Sequence, residues 1–231
     1  MPLKKISQSS SSSLRFPFAA IPKSGAHHQV ANGIHWCRHD LPFALDHINT
    51  WLLQDHDKWV IVDTGVSDDR SQDGWRNILD GELSGSEISK IIVTHYHPDH
   101  IGNADWLSKR SLASVWMSSS EFLTAHAVFD KTATHSAQAT GALFRQHGLP
   151  DDEVDSVSAK GDHYKALVRS LPTSFLRITN GETLDVGESS WQIIVGSGHS
   201  PEHLSLFCET EQVLISGDML LPKISTNVAV W

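Results

Sequence analysis

The segment His95-Tyr96-His97-Pro98-Asp99-His100 gathers three imidazoles and a carboxylate within six residues. Imidazole nitrogen and carboxylate oxygen are donors that suit Zn²⁺, Fe or Mn²⁺, and no thiolate belongs to the set. In an extended segment residues i and i+2 point to the same side, so His95 and His97 can hold one ion. Pro98 then bends the chain, and Asp99 and His100 can face a second ion nearby. Two later segments offer what this loop lacks: Gly198-His199-Ser200-Pro201-Glu202-His203 and Gly217-Asp218. Alone, each is a weak signal, because a single histidine is more often a surface or satisfied residue and Gly-Asp is a common turn. The chain carries 15 histidines in 231 residues, and histidine is the commonest protein ligand for transition metals.

The elements that must position these residues are strands. Residues 88–94, with Ile91-Ile92-Val93 inside them, read as a buried strand, which places the histidine motif in a strand-to-helix loop at a sheet edge. Residues 191–195 and 212–216 read as strands leading to His199 and Asp218. Upstream, residues 34–38, 48–53 and 59–62 are short β-branched or aromatic runs, the last ending in the turn Asp63-Thr64-Gly65. Residues 70–79 and 103–109 predict short helices, and 113–117 another strand. Residues 118–172 change character: helical spacing over 119–129, 136–147 and 151–171 predicts a helical insertion, either a lid over the site or scaffold. Strands return at 175–178, 183–186 and 204–208, completing a β meander.

Composition bounds the rest. A hydrophobic fraction of 39% and a charged fraction of 19% are globular values. No apolar run approaches the roughly 18 residues of a membrane span, so no membrane role is expected. With 18 basic against 27 acidic side chains the net charge is −9, a poor match to nucleic acid or anionic lipid. The expected partner is a small-molecule substrate. Cys37 and Cys208 cannot form a disulfide framework and fit a reducing, cytoplasmic setting. Residues 1–25 hold the serine run Ser9–Ser13 and no acidic side chain. Organelle transit peptides share that bias, but the single Arg15 and the missing amphipathic repeat favour a disordered tail, with the domain spanning 26–231.

Taken in chain order, Asp63-Thr64-Gly65, His95-Tyr96-His97-Pro98-Asp99-His100, Gly198-His199-Ser200-Pro201 and Gly217-Asp218 resemble the metallo-β-lactamase superfamily, and most closely its hydroxyacylglutathione hydrolase (glyoxalase II)-like branch. The resemblance runs from about residue 33 to 231. It implies an α/β fold, an αββα sandwich with the site at one edge of two packed sheets. It assigns His95, His97 and His199 to a first metal, Asp99 and His100 to a second, and Asp218 to a bridge between them. Asp63 and His203 would stand behind these ligands. Two divalent ions, Zn²⁺ before Fe or Mn, would serve a hydrolase of small carbonyl esters (thioesters, then lactones) through a metal-bound hydroxide that Asp99 orients or deprotonates. β-Lactams fit less well, because several true β-lactamases carry Cys or another ligand where Asp218 stands. A mononuclear iron sulfur dioxygenase is the competing chemistry on the same fold. The family also draws a further histidine from a strand well after the bridging aspartate, and the 13 residues after Asp218 hold none. The chain therefore reads as cut inside its second half, an incomplete domain, and a metal-binding chain without turnover is the third expectation.

Overall fold

Strands β4 (Lys58–Val62) and β5 (Glu87–Ile92) carry runs of consecutive apolar residues, and their two faces enter two different cores. Val60, Val62 and Ile92 join one core, Ile61 and Ile91 the other. A strand buried on both faces has to lie inside a sheet covered on both sides, and that requirement sets the architecture. The structure is a computed structural model that describes residues 14–43, 45–132, 135–159 and 163–228.

The larger sheet has seven strands in sequence order: β1 (His27–Ala31), β2 (Ile34–Asp40), β3 (His47–Asp55), β4, β5, β6 (Ser114–Met117) and β7 (Leu176–Arg177). Pairing is antiparallel from β1 to β4 and parallel from β4 to β7. The smaller sheet is an antiparallel meander of β8 (Thr183–Val186), β9 (Ser189–Gly196), β10 (His203–Cys208) and β11 (Val213–Ile215). Between the sheets, Ile34, Leu53 and Val62 meet Trp191, Ile193 and Leu206. Behind the larger sheet, α1 (Asp69–Asp80), α3 (Ala104–Ser111) and α4 (Ser119–Phe129) bury Trp75, Ile78, Leu107 and Phe122. Ile194 and Leu214, facing away from the inter-sheet core, are 42% and 40% exposed. The described residues thus stack helices, large sheet and small sheet in that order: the α/β fold with two packed sheets is as expected, and the outer helix layer of an αββα sandwich is not among the described residues.

Two local details depart from the sequence reading. Strand β1 was not anticipated: its His-His-Gln-Val-Ala run has weak apolar alternation, and it pairs only as an edge strand with a register shift between Gln29 and Ala31. Within the stretch expected to be helical over 151–171, the described residues form α6 (Asp151–Ala159) and α7 (His163–Leu167), and residues 168–171 are not helical. They follow α5 (Ala137–Gln146), and the four-residue α2 (Pro98–Ile101) contains the last three residues of the histidine motif. Of the tail expected over residues 1–25, residues 1–13 lie outside the described part. Residues 14–25 form no strand or helix, and the Phe18 ring lies 5.6 Å from that of His28. Among the described residues no helix is long and apolar enough to cross a membrane.

The two sheets are pinned together at the end remote from the histidine motif. Asp55, closing β3, takes Ser89 Oγ at 2.7 Å, Lys90 Nζ at 2.9 Å and, across the sheets, the Gly187 N–H at 2.9 Å. Gly187 sits at φ +58°, and a Cβ there would fall 2.8 Å from Gln54 O, so the turn between β8 and β9 needs glycine. Burial alone would raise the Asp55 carboxyl, but the Gly187 N–H, Ser89 hydroxyl and Lys90 ammonium outweigh it and hold it at about 2, below its ordinary 3.8. That contribution is therefore full above the unfolded value and fades as pH falls from about 4 toward 2. Asp55→Ala should cost about 2–3 kcal/mol near neutrality, the scale of charged hydrogen bonds. Denaturant unfolding of both proteins at pH 7 and pH 3 checks this. A difference that does not shrink at the lower pH would refute the assignment.

Candidate metal centre

Every candidate ligand lies just past the end of a strand, and the ends share one edge of the sandwich. Asp63 follows β4 and turns the chain at φ +62°, a left-handed conformation that aspartate tolerates better than most side chains. Val93 and Thr94 extend β5 into His95. His199 lies in the loop between β9 and β10, and Asp218 sits on a 3-10 turn, Gly217–Met219, after β11. Gly217 adopts φ +48°, and a Cβ there would lie 2.6 Å from the His203 ring, so this close approach also requires glycine.

The structure brings the sequence-predicted residues into one cluster. One ligand atom each from His95, His97, His199 and Asp218 lie within 4.8 Å of one another. His95 Nε2 is 2.9 Å from His97 Nδ1 and 3.2 Å from His199 Nε2. Asp218 reaches two ways: Oδ2 lies 3.3 Å from His199 Nε2, and Oδ1 lies 3.4 Å from His100 Nε2. Asp99 Oδ2 is 3.7 Å from that same His100 nitrogen. His203 is not directed at the cluster. Its ring stacks on His95 at 4.7 Å, and its Nε2 accepts the Asp218 N–H at 3.1 Å.

Groups behind the ligands decide which nitrogens are free to bind. His199 Nδ1 lies 2.9 Å from the Asn227 carbonyl, which can only accept, so Nδ1 carries the proton and Nε2 keeps its lone pair. His100 Nδ1 lies 2.8 Å from Asp63 Oδ2, so Nδ1 carries a proton there too and Nε2 is the nitrogen a metal would take. His95 Nδ1 is 3.0 Å from Thr94 Oγ1, and that hydroxyl donates in turn to Asp63. Carboxylate–histidine and carbonyl–histidine pairs of this kind orient metal-binding imidazoles. His100 Nε2 is fully buried, without a hydrogen bond among the described residues, and faces two carboxylates. A buried nitrogen left this way is costly unless a cation completes it.

Electrostatics agree with that fit. Burial first, then the neighbouring imidazoles, drive His95 far below the ordinary histidine range and His97 down to about 3, so both are neutral donors. Burial first, then the nearby His100, also lowers His203, to about 4. At His100 burial pulls down, but Asp63, Asp99 and Asp218 outweigh it and raise the ring. Burial raises Asp99, while at Asp218 the imidazoles of His100 and His199 overcome burial and lower the carboxyl. At His199 burial pulls down, but Asp218 and the Asn227 carbonyl outweigh it and raise the ring, so a metal ion binding there would displace a proton. With that proton gone, three imidazoles and a shared carboxylate are a donor set for a borderline divalent ion such as Zn²⁺, and Asp99 with His100 adds a second set beside it.

Sequence reasoning missed Thr94, Glu121, Tyr164 and Asn227. Thr94 supports both His95 and Asp63, and Asn227 offers only a backbone oxygen, which no sequence pattern marks. Glu121 did carry a signal. Ser118-Ser119-Ser120-Glu121 has the spacing of a helix capping box, a pattern that announces a helix start rather than a site.

Comparison with known proteins agrees with this geometry. A solved β-lactamase domain protein from Burkholderia ambifaria superposes with a TM-score of 0.79 at 38% identity, covering 94% of this chain and 61% of that one. Among curated proteins, "Probable metallo-hydrolase YqjP" of Bacillus subtilis is 24% identical over 80% of this chain and 56% of its own length. The human "Acyl-coenzyme A thioesterase MBLAC2" is 22% identical over 84% and 66%. A "Hydroxyacylglutathione hydrolase" of Idiomarina loihiensis is 24% identical over 77% and 48%. The chain thus spans about half to two thirds of the length of these relatives. The family model described as "Metallo-beta-lactamase superfamily" matches residues 44–230, and the chain belongs to that superfamily.

Proposed function

We propose that this chain is a metal-dependent hydrolase of small carbonyl esters, thioesters first and lactones second, of the glyoxalase II-like branch. One observation carries the reading: the two oxygens of Asp218 face one histidine from each ligand set, His199 at 3.3 Å and His100 at 3.4 Å. His95, His97 and His199 would hold one divalent ion, Asp99 and His100 the other, with Asp218 between them. When bound, such ions polarise a carbonyl and acidify water toward neutral pH. Asp99, raised by burial, is the residue to orient that water or take its proton. No side-chain nucleophile is required: Cys37 and Cys208 are buried in the two cores, and the Ser200 hydroxyl is held by Glu121. Two relatives whose names specify a thioesterase and a hydroxyacylglutathione hydrolase support the thioester preference. The two buried, unpaired thiols support a cytoplasmic setting.

Four outcomes follow. In a Zn²⁺ titration of the metal-stripped chain, the His95–His97–His199 site should fill first and more tightly than the second. His97→Ala should lose that tight equivalent and all hydrolysis; retained turnover would move the chemistry elsewhere. On a panel of thioesters, lactones and β-lactams, thioesters should react fastest. Preferred β-lactam turnover, or oxygen uptake on a persulfide by a chain holding a single iron, would overturn the assignment. Asp63→Asn keeps a side chain that accepts the left-handed turn but removes the carboxylate behind His100. It should weaken the second ion by roughly 10–100-fold, and more than the first, in the same titration. Equal losses at both sites would argue against Asp63 acting through His100.

A further inference from the structure

Glu121 is fully buried, at 0% exposure, yet its partners are neutral donors from two separate loops. Oε2 accepts the Tyr96 N–H at 2.9 Å. Oε1 accepts the Ser200 hydroxyl at 2.6 Å and the Glu202 N–H at 2.7 Å. Tyr96 is the residue between His95 and His97, and Ser200 follows His199, so one carboxylate ties together the loops that carry all three histidines. As the third residue of a capping box, Glu121 would ordinarily turn back to the Ser118 N–H. Ser118 does cap α4 through the Glu121 N–H, at 3.3 Å, but the Glu121 carboxylate points away from the helix start and into the loops. A buried carboxylate costs several kcal/mol unless well bonded, so a placement like this needs a return. The other side of the same loop is also held: the Tyr164 hydroxyl of α7 donates to the Tyr96 carbonyl at 2.7 Å. The peptide groups on either side of Tyr96 are therefore each fixed by a residue from the helical segment 118–172.

We infer that Glu121, assisted by Tyr164, is a positioning residue that sets the spacing of His95, His97 and His199, and that the helical segment serves as a brace for the metal loops. The inference rests on the metal-site reading above. Glu121→Gln keeps the shape but sets an NH₂ group against an N–H or O–H donor on one side of the clamp. Tyr164→Phe removes only one hydroxyl. Asp55→Ala, at the remote end of the sandwich, is a destabilised control that touches neither loop.

The test measures Zn²⁺ affinity by chelator competition, and amide hydrogen exchange at Tyr96 and Glu202 in the metal-free chain. Glu121→Gln should weaken the first ion by roughly 10–100-fold and speed both amides, with a smaller loss for Tyr164→Phe. Asp55→Ala should leave affinity and both amides close to wild type. Wild-type affinity in Glu121→Gln, or an equal loss in Asp55→Ala, overturns the inference. If the wild-type chain takes up no ion, the metal reading fails, and exchange alone decides the clamp: faster amides in Glu121→Gln support it, unchanged ones refute it.

Discussion

A buried histidine can offer a lone pair only if its other nitrogen has somewhere to place a proton. The centre depends on that constraint, and three of the four candidate histidines meet it differently. His100 donates its Nδ1–H to Asp63, His199 to the Asn227 carbonyl, and His95 to the Thr94 hydroxyl, which donates in turn to Asp63. Asp63 is thus common to two of the three. Removing the network would leave the rings in place but undirected, free to take the wrong tautomer in a site too dry to correct it.

The sandwich makes this network possible because its strands deliver the parts to one edge. The parallel pair β4 and β5 puts Asp63 and His95 side by side, with the Asp63 N–H bonded to Ile92 O at 2.9 Å. The second sheet brings His199 and Asp218 from the other side, and the Leu204 N–H bonds Thr94 O at 2.9 Å, stitching the two sheets beside the motif. Asp55 and Gly187 fasten the remote end. The strands thereby start the ligand loops within a few ångströms of one another, and the Glu121 and Tyr164 contacts then hold those loops.

What the sequence revealed follows from distance along the chain. His95, His97, Asp99 and His100 are local, so spacing alone exposed them, and the strand preceding them was visible in Ile91-Ile92-Val93. His199 and Asp218 became legible only through their order after strands. The supporting residues act over long separations: Glu121 reaches Ser200 across 79 positions and Tyr164 reaches Tyr96 across 68, and neither carries a pattern that names its partner. Strand β1 was invisible because an edge strand needs little apolar alternation.

The acidic residues at the centre separate into two kinds by what satisfies them. Asp63 and Glu121 are saturated by protein donors: Asp63 by the Thr94 N–H and hydroxyl and the His100 Nδ1–H, Glu121 by two backbone N–H groups and a hydroxyl. Carboxylates bonded in this way have little left to offer a ligand and fix the backbone instead. Asp99 and Asp218 face imidazole nitrogens whose opposite sides are already engaged, at 3.3 to 3.7 Å, too long for strong hydrogen bonds and close enough to share one coordination sphere. The same side-chain chemistry thereby yields bonded scaffold in one pair and leaves oxygens open to a ligand role in the other, and the difference lies in the donors that the fold supplies.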